Sequence, residues 1–115
     1  MELEWVDFEP REGQRIAFYE RYNRMGQLRA WARAQAASQA LATGSSFEAF
    51  ASTLEELGEA LATLVGDWDL KDENGKTLPK PTRGEAFYDL TTGEKGEIAW
   101  VLSALAERLA PSPES

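Results

Sequence analysis

Carboxylates are the side chains best supplied for chemistry in this chain, and they gather in DWDLKDENGKTLPKP, residues 67–81. Asp67, Asp69 and Asp72 have the oxygens a hard cation such as calcium would take. An EF-hand loop needs oxygen donors at its positions 1, 3 and 5, Gly at 6 and a bidentate Glu at 12. Counted from Asp67, position 5 is Lys71, position 6 is Asp72 and position 12 is Leu78. Other starting points fit no better, so no metal and no cofactor is expected. Pairs such as Glu55/Glu59 and Asp67/Asp69 have the residue types for general acid–base work. In a chain with 20 acids and 12 bases, such pairs are ordinary solvated surface. His and Cys are both absent, which removes the commonest general base and all thiolate chemistry. With no phosphate-binding loop and no Gly-x-Ser-x-Gly, the expectation is a non-enzyme.

The second constellation is Arg interleaved with aromatics: Arg15, Tyr19, Arg21, Tyr22, Arg24, Arg29, Trp31 and Arg33. Such a set suggests nucleic acid or a protein partner. The net charge of −8 and the lack of any nucleic-acid motif argue against the first. Tyr, Trp and Arg are the types favoured at protein-binding hot spots. The candidate surface is therefore Tyr19, Tyr22, Met25 and Trp31, rimmed by Arg15, Arg29 and Arg33. The competing reading makes the same four apolar side chains core and the arginines a solvated surface. Charge is also uneven: residues 1–9 carry −4, residues 10–44 carry +4 and residues 45–115 carry −8. That asymmetry permits head-to-tail self-association of a basic helix with an acidic neighbour.

The elements that must position these residues follow from periodicity. A length of 115 residues with 43% apolar content fits one globular domain, residues 1–110, with APSPES ending in a flexible tail, 111–115. No apolar run reaches the length of a membrane span, and the acidic N-terminus does not resemble a secretory signal. A cytoplasmic setting without membrane contact is expected. LEWVDF (residues 3–8) reads as a short strand or extended arm. From about Glu12 to Ala42 the spacing of Ile16, Tyr19, Tyr22, Met25 and Trp31 predicts one long helix, continuous or broken near Gly26, with Gly44 as its stop. SSFE (45–48) is a capping box. After it, Phe47, Phe50, Leu54, Leu57, Leu61 and Leu64 form a clean helical stripe that ends at Gly66. TRGE (82–85) and TTGE (91–94) are two more capping boxes. The first opens a short helical turn to about Leu90. The second opens a helix to about Leu109 with Ile98, Val101, Leu102, Leu105 and Leu109 on one side. Trp68, Phe87 and Trp100 should join the core.

Between these helices Asn74-Gly75 signals a hairpin. A two-residue turn would set Leu70 opposite Pro79. A three-residue loop, Glu73-Asn74-Gly75 with Gly75 in the left-handed region, sets Leu70 opposite Leu78 and Asp72 opposite Lys76. The second register pairs apolar with apolar and acid with base, and is preferred. The expected fold is thus mainly α: a small helical domain of three main helices with a short β-hairpin between the second and last, the helical stripes packing on one another.

The pattern Trp68-x-Leu70-x-Asp72-Glu73-x-Gly75-x-x-Leu78-Pro79, followed by Thr82 and Glu85, resembles a stretch of the tail assembly chaperones of long-tailed bacteriophages. In that family a helical region leads into W-N-L-x-D-x-x-G-x-x-(L/V)-P and a helix follows; here Asp69 stands where Asn is commoner. The resemblance covers about twenty residues. It implies a small, largely helical protein that acts in the bacterial host cytoplasm, coats and solubilises the tape-measure protein, and helps recruit tail-tube protein. It also implies a second product extended by ribosomal frameshifting. The alternative is a small helical adaptor or regulatory protein for another partner.

Overall fold

A computed structural model describes residues 2–20, 22, 25–43, 47–92 and 95–109. It contains strands β1 (Leu3–Asp7) and β2 (Arg15–Tyr19), helices α1 (Met25–Thr43) and α2 (Phe47–Leu64), strand β3 (Val65–Trp68), a 3₁₀ turn (Gly84–Asp89) and helix α3 (Glu97–Leu109). The three strands form one antiparallel sheet in the order β1-β2-β3. The domain is therefore mixed α/β, which corrects the expectation of a mainly helical fold with a single hairpin.

The error lies at β2. Ile16, Ala17 and Phe18 are all fully buried, so this strand is covered on both faces. A short apolar run of that kind cannot be told from a buried helix by periodicity. The three-residue intervals that run from Ile16 through Tyr19 and Tyr22 to Met25 cross a strand, a link and a helix start. The first helix begins only at Met25, and Gly26 sits within it. The arm at residues 3–8 does form a strand, with Val6 opposite Ile16 and Trp5 opposite Ala17.

The hairpin has the preferred register. Leu78 N–H donates to Leu70 O at 2.9 Å, Asp72 N–H donates to Lys76 O at 2.8 Å, and Lys71 bridges to Thr77. Gly75 has φ +81°, a conformation that penalises any Cβ. Asp72 Oδ1 accepts the N–H groups of Asn74 and Lys76, both at 2.9 Å, which holds the loop from inside. Trp68 and Leu70 point into the core and are fully buried, while Asp69 and Lys71 are exposed.

Leu57, Leu61 and Leu64 of α2 are fully buried and Leu54 half-buried; the side chains of Phe47 and Phe50 lie outside the description. The helix stops at Leu64 and runs directly into β3, so Gly66 is a strand residue and not the predicted helix stop. The chief neighbours of α2 are α1 and the 3₁₀ turn. A Cβ at Gly58 would lie 2.6 Å from Gly84 O, so that second contact requires bare backbone. Among the described side chains of α1 the buried ones are Gln27, Ala30, Ala34 and Ala37, a narrow stripe that lets α2 approach closely. α3 lies against α1, as expected of a stripe packing on the first helix, while α2 is not among its main neighbours; single side chains of α3 also reach the sheet. The rings of Trp100 and Phe8 meet edge-on at 5.0 Å, and Arg108 lies 4.7 Å over Phe18.

Capping differs from the sequence pattern. Ser45, Ser46 and Glu94 of two predicted boxes, Gly44 and the 110–115 tail lie outside the described residues. The 3₁₀ turn starts after Arg83, which makes no side-chain cap. Thr91 does cap α3, but its reciprocal partner is Glu97. Glu97 N–H donates to Thr91 Oγ1 at 2.8 Å and Thr91 N–H to Glu97 Oε1 at 3.0 Å, so the helix begins later than TTGE suggests.

Candidate partner-binding surfaces

The seven residues of the expected binding surface do not share one helix. Arg15 and Tyr19 lie on β2, Tyr22 lies in the link, and only Met25, Arg29, Trp31 and Arg33 are on α1. Tyr22 is buried. Its hydroxyl donates to Leu64 O at 2.5 Å and accepts from Tyr19 N–H at 3.0 Å. It is a tie between the sheet and α2, with no surface to offer. Burial pushes its phenol up to about 12, against smaller lowering effects of the Tyr19 backbone and Arg108. Tyr19 is half-buried against the Tyr22 ring at 5.8 Å. Arg15 is exposed and lies 5.2 Å over the ring of Trp5.

The α1 residues behave differently. Met25 is 65% exposed and Leu28, one turn on, is 41% exposed. Ala32, Ala36 and Arg29 are exposed as well. This outer face is shallow and apolar, opposite the Ala stripe that packs on α2. Arg33 reaches back to Glu56 and Glu59 at 3.8 and 3.9 Å, an exposed pairing of small energetic value. Trp31 is half-buried on the flank, where it lines a groove of about 250 Å³ between α1 and α3 with Gln35, Ser38, Gln39 and Leu102. Sequence reasoning passed over Leu28, although its three-residue spacing from Met25 marks one helical face.

A cleft of about 880 Å³ opens around Arg11, away from α1 in its lining residues. Its strongest groups are engaged with each other. Arg11 forms a two-pronged pair with the Glu97 carboxylate. It also donates to Lys71 O at 2.6 Å and to Asp89 O at 3.3 Å. One guanidinium thus joins the β1–β2 turn, the hairpin, the end of the 3₁₀ turn and the start of α3. That arrangement is a joint, and the cleft is its open margin. Nothing in the sequence pattern singled out Arg11. Beside the 3₁₀ turn, the exposed Tyr88 phenol is also pushed up, first by desolvation and then by Glu55, Glu85 and Glu59.

Among the described residues no three His, Cys, Asp or Glu side chains are grouped to hold a metal ion, and no helix is long and apolar enough to cross a membrane. Trp68, the head of the DWDLKDENGKTLPKP segment, has its indole N–H bonded to Pro79 O at 2.8 Å and its ring 4.9 Å from that of Phe87. Compared with protein-family models, curated proteins and solved structures, the chain matches none of them.

Proposed function

We propose that this chain is a non-enzymatic tail assembly chaperone, a protein that holds a phage tape-measure protein in solution in the bacterial host cytoplasm and helps present it to tail-tube protein. The observation that carries the reading is the closure of the 68–79 segment on itself. Trp68 bonds Pro79, Leu70 pairs with Leu78, and Gly75 takes the left-handed turn. The residues through which the chain resembles that family act as one mechanical unit in this fold, which supports reading their spacing as constrained by the turn they build.

The bearing surface of this proposal is the outer face of α1: Met25 and Leu28, continued by Ala32 and Ala36 and flanked by Arg29. A long partner helix laid on such a face gains little at any one site. Many copies along one partner supply the affinity through avidity. Self-association would assist this by raising the local number of faces.

The test is co-expression with a tape-measure fragment. The expected result is a large rise in the soluble fraction of that fragment, lost when Met25 and Leu28 are both changed to Asp. A fragment equally insoluble with and without this protein overturns the proposal. Retained solubility with the Met25→Asp/Leu28→Asp variant moves the surface elsewhere. Gene neighbourhood supplies an independent check, since tail-tube and tape-measure genes should flank the coding region.

A further inference from the structure

The sheet has two edges, and they are not alike. At β3 the outward groups of Trp68 are already in use. Trp68 N–H donates to Asp67 Oδ1 and Trp68 O accepts from Lys80 Nζ, both at 2.8 Å. At β1 the outward groups are not so engaged. Phe8 N–H donates to Gln14 O and Glu20 N–H to Glu2 O, so the even-numbered residues of β1 are the ones that bond β2. Leu3, Trp5 and Asp7 therefore turn their N–H and C=O groups away from the sheet, and among the described residues no hydrogen bond takes them up.

Such a row is a template for another strand, and proteins commonly block it with charge. Here the charge is of one sign. Glu2, Glu4, Asp7 and Glu9 are all exposed along the edge. Arg108 engages Glu4, while Glu2 and Asp7 have no ion-pair partner among the described residues. Trp5 stands in the middle, 38% exposed.

We propose that β1 accepts an extended segment of a partner protein as a fourth strand, and that this segment alternates Lys or Arg with apolar residues. Alternation sets the basic side chains beside Glu2 and Glu4 on one face and the apolar ones beside Leu3 and Trp5 on the other. A second copy of this chain is the poorer occupant, because it brings the same acids to both sides of the ladder and sets Leu3 against Asp7. The site is separate from α1 and does not depend on the tail-assembly reading.

The test is amide hydrogen exchange on the full chain with a synthetic peptide alternating Lys and Val, beside one alternating Glu and Val. The Lys/Val peptide should slow exchange at Leu3, Trp5 and Asp7 by roughly tenfold at low salt, and less at high salt. The Glu/Val peptide should not. Trp5→Pro removes one outward N–H and no β1–β2 bond, and should abolish the protection. Trp5→Val keeps that N–H and should retain it. Continued protection of Asp69 and Leu78 shows that the fold persists. Should Trp5→Pro unfold, Glu2→Lys with Glu4→Lys still decides, because it reverses the charge on the face that meets the basic side chains and should transfer preference to the Glu/Val peptide. Unchanged exchange at the three amides, or a preference indifferent to that reversal, overturns the proposal.

Discussion

The two ends of this molecule are held by different physics. Around Arg11, Trp68 and Glu97 the contacts are directional: a guanidinium shared among four segments, an indole bonded to a carbonyl, a reciprocal cap on α3. Around α1 the contacts with α2 are mainly alanine methyl groups, edged by Arg33 and its exposed pairing with Glu56 and Glu59, with an apolar face left open on the other side. Directional bonds fix one geometry and leave few spare groups. A helix held by small residues has a cheap interior and a free exterior, which suits a surface meant to meet a partner.

The comparison breaks most visibly at Trp68. Trp68→Ala should cost about 3–5 kcal/mol, measured by denaturant unfolding, through the cavity beneath Phe87 and the orphaned Pro79 carbonyl. A loss under 1 kcal/mol would mean that the hairpin is not anchored as described. Next comes Arg11→Ala, expected to cost about 3 kcal/mol because the largely buried Glu97 carboxylate loses its counter-charge. Exchange protection at Lys71 and at the start of α3 should fall together in this variant. Independent behaviour of the two segments would show that no joint exists.

Tyr22 stands between the two ends, and pH tests it. Its phenol ionises near 10 in the unfolded chain and at about 12 in the fold. The neutral form is the one that folding favours, so the benefit is complete below pH 10 and is lost as pH rises from 10 to 12. The loss is on the order of 2 kcal/mol. Unfolding midpoints measured through that window should drop more steeply for the parent chain than for Tyr22→Phe.

The smallest effects separate the ends by sign. Gly75→Ala forces a Cβ into a left-handed turn and should cost about 1 kcal/mol. Gly26→Ala lies in an exposed helical position with open space around the new methyl, and should gain about 0.5 kcal/mol. Equal signs in thermal unfolding would erase the contrast.

What could be read from the residues follows the same division. The hairpin register was legible because its pairings are chemically asymmetric: only one alignment sets Leu70 on Leu78 and Asp72 on Lys76. The α2 and α3 stripes were legible because each faces one core. β2 was not, since a strand buried on both faces erases the alternation that would announce it. The binding surface suffered from that one mistake. Met25 and Arg29 do lie exposed on α1, but Tyr22 is consumed as a tie and Arg15 and Tyr19 belong to the sheet. Arg11 was invisible because its value comes from segments as distant as residue 97, and no local pattern encodes such a meeting.

That meeting of early and late segments also orders how the molecule comes into being. Phe8 waits for Trp100, Glu4 for Arg108 and Arg11 for Glu97. During vectorial synthesis the first two strands emerge long before α3, and their apolar face has nothing to close on. Contacts of such sequence separation form late and slowly. The nascent chain should therefore expose Phe8, Ile16 and Phe18 until α3 is made, and then complete its core in one final step.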